Sequence, residues 1–187
     1  GKPSIPFLEK ILERQAWSAP QLNMYVVGLD LATIQNARFL RDRPLPEDYE
    51  IVLWRELPQA AIEGLLASDA AAPWIPLDLK PTKFLENYQE DISVALLRRG
   101  EVCGWLIIHL IHDVLRLTCG FVHPDLQRRG RMFDIYADAA RRAERLGFCK
   151  ISATVPAHHS RMAAFAQRWL KPMSERFSES RVAAKEL

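Results

Sequence analysis

The sequence is poor in the features that announce whole classes of protein. Three cysteines in 187 residues, Cys103, Cys119 and Cys149, are an odd number and widely spaced. They exclude a disulfide framework and a paired-thiol site, and read as buried or half-buried thiols in a reducing compartment. No apolar run approaches the roughly 20 residues that a membrane helix needs. The first residues lack a basic stretch followed by an apolar core, so no signal peptide is read there. A cytoplasmic location, with no membrane partner, is the expectation. Gly1 stands where a start methionine belongs, which reads as a tag scar or a cut start and leaves native targeting open. No set of His, Cys, Asp and Glu has ligand spacing, and no metal is expected.

What remains is a chain with 49% hydrophobic and 26% charged residues, long enough for one domain with a real core or one with an appendage. The net charge of +2 hides an asymmetry. Residues 1–119 carry 12 basic and 16 acidic side chains, a net of −4, and residues 120–187 carry 13 and 7, a net of +6.

Residues 4–16 read as a helix that Ser4 can cap, with Phe7, Leu8, Ile11 and Leu12 at helical spacing. A strand follows at 22–29, then an ambiguous segment at 32–40 and a Pro-rich linker at 43–46. Residues 49–57 alternate as a strand, and 58–71 form an Ala- and Leu-rich helix with Pro58 at its start, where the missing N–H costs little. An apolar loop at 72–76 leads to a short helix expected at 82–88. Strands at 94–97 and 102–111, joined across Arg99-Gly100, and a third at 114–122 make an antiparallel meander. Their long apolar runs call for helices on both faces.

Met132, Ile135, Tyr136, Ala139, Ala143 and Leu146 share one helical face, and Gly147 suits the helix end. A strand at 149–155 then returns parallel to the one before the helix. A second short helix, marked by Met162, Phe165, Ala166 and Trp169, and a β-prone segment at 176–183 close the chain. The expected fold class is α/β (mixed α+β), with a central mixed, mostly antiparallel sheet flanked by helices.

The chain is organised around residues 122–132, between the third meander strand and the long helix. Pro124 ends the strand, and Gly130 permits a tight turn that leaves backbone N–H groups open where the helix begins. Such N–H groups, with the helix dipole behind them, make an anion cradle. Arg128, Arg129 and Arg131 surround it with positive charge.

Val122, Pro124, Gln127 and Gly130, set between a strand and a helix, resemble the acyl-CoA loop of the GNAT (GCN5-related N-acetyltransferase) superfamily, whose signature runs V-x-P-x-x-Q/R-x-x-G-x-G/A. Met132 departs from it, standing where Gly or Ala is preferred. The resemblance covers about residues 49–187. It implies acetyl-CoA (coenzyme A) as cofactor, with Phe121, Val122, His123, Gln127, Arg128, Arg129, Gly130, Arg131, Met132 and His159 around it. A phosphorylated cofactor also accounts for the basic C-terminal part, so nucleic acid is not expected as a partner, although a surface along the helix arginines is open to test.

The implied reaction is transfer of an acyl group, acetyl first, to a primary amine on a small molecule or peptide. Trp74, Phe84 and Tyr88 are the candidate walls of the acceptor site. Many family members carry an acid as a tyrosine seven residues after an asparagine in the last helix; here His159 and Ala166 hold those two positions. His123, Tyr136 and Cys119 are the remaining candidates for acid or base, with His109, His112 and Asp113 behind them. The alternative is a degenerate module that binds acyl-CoA or a partner without turnover, as a monomer or homodimer in either case. Residues 1–45 read as an extension and 46–187 as the GNAT-like domain. Because helix, turn and strand occur at both ends, residues 4–30 are also readable as the tail of a preceding, truncated unit of the same kind.

Overall fold

A computed structural model of the protein describes residues 5–40 and 44–185. Its elements run α1 (Ile5–Arg14), β1 (Gln21–Asp30), α2 (Leu31–Gln35), β2 (Tyr49–Leu53), α3 (Gln59–Ala71), β3 (Val94–Arg98), β4 (Glu101–Ile111), β5 (Val114–Val122), α4 (Arg131–Arg145), β6 (Lys150–Pro156), α5 (Ser160–Phe165) and β7 (Arg176–Val182). The fold class is α/β, with a mixed sheet flanked by helices. The contacts divide the chain into two compact units, residues 29–153 and residues 1–28 with 154–187. Ser4 and the start of the 43–46 linker lie outside the described residues.

In the larger unit β2, β3, β4 and β5 form an antiparallel meander, and β6 joins β5 in parallel over Val114–Leu117 and Lys150–Ala153. The β3–β4 turn puts Arg99 at φ 53° and Gly100 at φ 84°, the left-handed pair that a two-residue hairpin requires. Side chains alternate across the sheet, so each face takes its own helix. On one face Trp105, Ile107 and Cys119 pack with Leu65 of α3 and with Trp54, Leu57 and Ile75. On the other face the strands carry glycine: a Cβ on Gly104 would stand 3.2 Å from Ile135 of α4, and one on Gly120 only 2.8 Å from Met132 Cε. The two glycines let α4 lie close to the sheet.

Three sequence expectations need correction. The strand expected at 49–57 stops at Leu53, and Trp54–Glu56 is a single 3-10 turn. The Leu57 N–H turns back to Trp54 O instead of reaching a neighbouring strand, and Pro58 cannot extend a ladder. The helix expected at 82–88 is only a 3-10 turn at Pro81–Phe84, and Asn87 at φ 53° bars a longer one. Leu146, placed on the apolar stripe of α4, is 51% exposed at the helix cap, and Ala140 is buried in the stripe instead. The Gly147 and Phe148 N–H groups turn back to Glu144 O and Ala143 O, so the helix ends at Arg145 and leaves Leu146 at its cap.

In the smaller unit β1 pairs antiparallel with β7, from Gln21 opposite Val182 to Gly28 opposite Arg176. Tyr25 and Val27 are its buried side chains in this unit, and Gln167 donates a hydrogen bond to the Tyr25 hydroxyl. The apolar stripe of α1 faces outward, with Phe7, Leu8 and Ile11 all exposed, while Glu9 pairs with Arg181 at 3.0 Å. Residues 1–28 therefore share a unit with the C-terminal strand; no division falls at residue 45.

Candidate acyl carrier site

β5 is paired on both sides only as far as Leu117, and residues 118–122 keep β4 alone as neighbour in the larger unit. The His123 N–H donates to Cys103 O at 2.8 Å, toward β4. Strand amides alternate in direction, so the Val122 amide points the other way, to the open edge. Of the three residues expected to meet the cofactor through strand backbone, Val122 has the outward N–H; those of Phe121 and His123 face β4.

The chain leaves the strand through a short, braced turn. Pro124–Leu126 forms a 3-10 turn whose first N–H, that of Asp125, donates to His123 Nδ1 at 3.3 Å. Gln127 Nε2 donates to Val122 O at 3.2 Å, so this side chain holds the strand end rather than lining the cradle. Arg128 at φ 69° and Gly130 at φ 80° then turn the backbone through left-handed conformations into α4. Only glycine takes such a φ without cost, which is the reason for Gly130 before the helix.

Gly130 O accepts from the Phe133 and Asp134 N–H groups, closing the first turn of α4. The N–H groups of Gly130, Arg131 and Met132 have no acceptor among the described residues. Three adjacent free donors at the start of a fifteen-residue helix, with its dipole behind them, are the groups that an anion could take. Arg128 and Arg129 are exposed beside it, without an ion-pair partner among the described residues.

Arg131 is not part of that charge. Its guanidinium turns back to Asp134, 2.6 Å away, and stands 4.8 Å over the Tyr49 ring; the side chain is 17% exposed. Sequence gives the charge of an arginine but not its direction. The side chain of Met132 is likewise directed away from the turn, onto Gly120 of β5.

Of the acid–base candidates, Cys119 is buried and donates to Leu79 O at 3.2 Å. Burial pushes its thiol up to about 11, helped by the charge of Asp78 and opposed by Trp105. Tyr136 is pushed up to about 12, again by burial first and then by neighbouring Cys119. Neither is a base near neutral pH. His123 lies half-exposed with its ring 4.5 Å from that of Trp74, and its Nδ1 is already an acceptor. His109 has both ring nitrogens engaged, at 2.8 Å to Thr118 Oγ1 and 3.0 Å to Glu86 O, and is a structural residue. His112, at φ 57°, is a turn residue.

Trp74, Phe84 and Tyr88 come together in the larger unit, all packed on the cluster around Trp105. Trp74 touches the Trp105, Phe121 and His123 rings, and its Nε1 is buried without an acceptor among the described residues. Burial raises the Tyr88 hydroxyl, with Glu90 adding to it. Sequence reasoning missed the residue that fixes this loop. Asp69, buried near the end of α3, accepts from the Trp74 and Ile75 N–H groups at 3.0 and 2.9 Å and from Lys80 Nζ at 2.7 Å. These bonds, that to Lys80 first, hold its carboxyl at about 2. In the smaller unit His159 caps α5 through its backbone, and Ala166 is fully buried, so no phenol stands at that position.

The sequence profile described as the acetyltransferase (GNAT) family matches residues 54–170. Among solved structures the chain is similar to a conserved protein of unknown function from Staphylococcus epidermidis, at 12% identity and TM-score 0.57, covering 100% of this chain and 69% of that one. A GCN5-related N-acetyltransferase from Sphaerobacter thermophilus matches at 13% and 0.53, covering 96% and 55%. A tandem GNAT protein from the clavulanic acid biosynthesis pathway matches at 10% and 0.60, covering 98% and 60%. At such identities the likeness is one of fold, and the chain spans between about half and two thirds of the length of these proteins. No curated protein matches.

Proposed function

Taking as premise that the chain belongs to the acetyltransferase (GNAT) family, we propose that it binds acyl-CoA at the Gly130 turn and transfers the acyl group, acetyl first, to a primary amine. The observation that carries this is the conjunction, among the described residues, of three free N–H groups at the start of α4 with the edge of β5 that β6 leaves unpaired beyond Leu117 in the larger unit. The residues present fit the cofactor: its pyrophosphate is the anion for which the turn has donors. Gly130, Arg131 and Met132 would hold it through backbone N–H groups, and Arg128 and Arg129 through exposed charge. When bound, coenzyme A supplies the activated thioester.

The chain's own contribution is then electrostatic and positional. The outward Val122 N–H is a donor for an acyl oxygen, and an oriented donor of this kind lowers such barriers by roughly 3 kcal/mol. Trp74 and His123 form the adjoining wall, where an amine would be held close to the acyl carbon. An alkylamine with a pKa of about 10 must still lose its proton, and no group above is poised for that, which leaves water or the acceptor's own lower pKa to supply a free base. Within the smaller unit the buried Ala166 favours a second reading, a module that binds acyl-CoA without turnover.

Calorimetric titration with CoA and acetyl-CoA, with thiol release measured against a panel of amines, tests both readings. Binding in the micromolar range is expected for the parent and little for Gly130→Trp, provided that variant retains its melting curve. Equal binding by both would remove the cradle. Tight binding with no thiol release on any amine would select the second reading.

A further inference from the structure

The Arg131 side chain makes contacts that the proposed reaction does not use. It leaves the first residue of α4 and lies over Tyr49, the first residue of β2, at 4.8 Å from the ring centroid. In the sheet of the larger unit β2 is three places away from β5, the strand that feeds the turn. Asp134, one turn into α4, takes the guanidinium at 2.6 Å, and both side chains are mostly buried, at 17% and 12% exposure.

The Tyr49 ring is itself held. Arg98, opposite it in register on β3, stands 5.5 Å over the same ring and pairs with Asp48 at 2.9 Å. Arg131 Nε is buried without an acceptor among the described residues, an uncompensated donor that costs free energy. A guanidinium placed chiefly to form hydrogen bonds would not leave that donor empty. Here the planar group is set by its stacking on the ring and its ion pair.

We propose that Tyr49 and Arg131 are positioning residues for the acyl-CoA cradle: a Tyr49–Arg131–Asp134 clamp anchors the first turn of α4 to the edge of the sheet and so aims the free N–H groups of residues 130–132. The proposal rests on the acyl-CoA reading for its functional meaning but not for its test. Arg131 acts through the backbone it belongs to, and Tyr49 acts through Arg131. Asp134, inside the dipole's positive end, cancels the arginine's charge, so the clamp adds rigidity and little attraction for phosphate.

The test is a double-mutant cycle on the full chain with two readouts. The first is amide hydrogen exchange at Phe133 and Asp134, whose N–H groups close the first turn of α4 on Gly130 O, and it needs no ligand. Tyr49→Leu and Arg131→Met should each speed exchange there about five- to tenfold, Tyr49→Phe should restore the parent rate, and the double variant should be no faster than the singles. The second is the acyl-CoA dependence of turnover or, without turnover, the calorimetric Kd for CoA. Tyr49→Leu should raise KM or Kd by a similar factor and leave kcat within about twofold, again with rescue by Tyr49→Phe. Parent-like exchange in Tyr49→Leu would overturn the clamp. So would a large loss of CoA affinity in Arg131→Met with none in Tyr49→Leu, which would make the arginine a direct phosphate ligand. If the parent binds no CoA the cofactor reading fails, and the exchange data still decide the clamp.

Discussion

Two turns of the larger unit treat their backbone donors in opposite ways. After α3 the chain runs into the 72–80 loop, and the N–H groups of Trp74 and Ile75 end on the Asp69 carboxylate, which Lys80 completes. Before α4 the chain passes Gly130, and three consecutive N–H groups have no acceptor among the described residues. The Asp69 carboxylate does for one turn what an anion from outside would do for the other. Since a buried or half-buried donor without a partner is costly, the same chain shows both the filled and the waiting form of one motif. The filled one is structural; the open one holds the donors that the proposed cofactor's phosphates would take.

The largest expected effect comes from emptying the filled turn. Asp69→Ala removes two backbone donors' acceptor and leaves Lys80 unpaired, which should cost about 2–3 kcal/mol in urea unfolding of the larger unit. Asp69→Asn keeps an acceptor and should lose less. The pH dependence has a definite sign. The carboxyl sits at about 2 in the folded chain and near its usual 3.8 when unfolded, so its contribution is complete above about pH 4 and is lost as pH falls toward 2. The difference between parent and Asp69→Ala should therefore shrink across that interval. A difference that stays constant from pH 6 to pH 2 would mean that packing, rather than the ionised carboxylate, holds the loop.

A smaller effect is expected at the open turn. Arg128 and Arg129 are exposed, so each offers a phosphate only screened attraction. Replacing either with glutamine should weaken CoA binding about two- to threefold at low salt, and the difference should vanish near 0.5 M salt, where the Debye length is only about 4 Å. A loss above about thirtyfold that persists at high salt would show that the side chains, and not the backbone N–H groups, make the site. The contrast between the two turns would then have to be redrawn.

Much of this was legible in the residues, and what was not has physical causes. Pro124, Gly130 and the amphipathic run after them mark the open turn because they dictate backbone conformation locally, and the structure places the helix start at Arg131. The meander and the parallel return through α4 follow from strand lengths and a two-residue hairpin. Asp69 was illegible: an aspartate late in an Ala-rich helix reads as surface, and its partners lie 5, 6 and 11 residues further on in a loop of unknown path. Arg131 was read as cradle charge because its destination, Tyr49, is distant in sequence and adjacent only once the sheet has formed. Leu146 was assigned to the apolar face because periodicity does not reveal where a helix stops touching its sheet.

The smallest effect should come from the groups that a mechanism would most readily enlist. Tyr136 lies on the α4 face of β5, its hydroxyl 3.7 Å from where a Cβ on Gly120 would be. In that position it invites assignment as the acid that protonates the departing thiolate. Burial, seconded by Cys119, raises its hydroxyl to about 12. A CoA thiol has a pKa near 8.5, so transfer from Tyr136 would run uphill by roughly 5 kcal/mol. The thiolate leaves more readily to water unassisted. Tyr136→Phe should accordingly change kcat less than about threefold and leave the pH–rate profile between pH 6 and 9 in place. A hundredfold loss, with the alkaline limb of the profile displaced, would establish Tyr136 as the acid. It would also mean that acyl-CoA binding changes its surroundings enough to lower that pKa, and the turn that waits for an anion would then be setting the chemistry as well as the affinity.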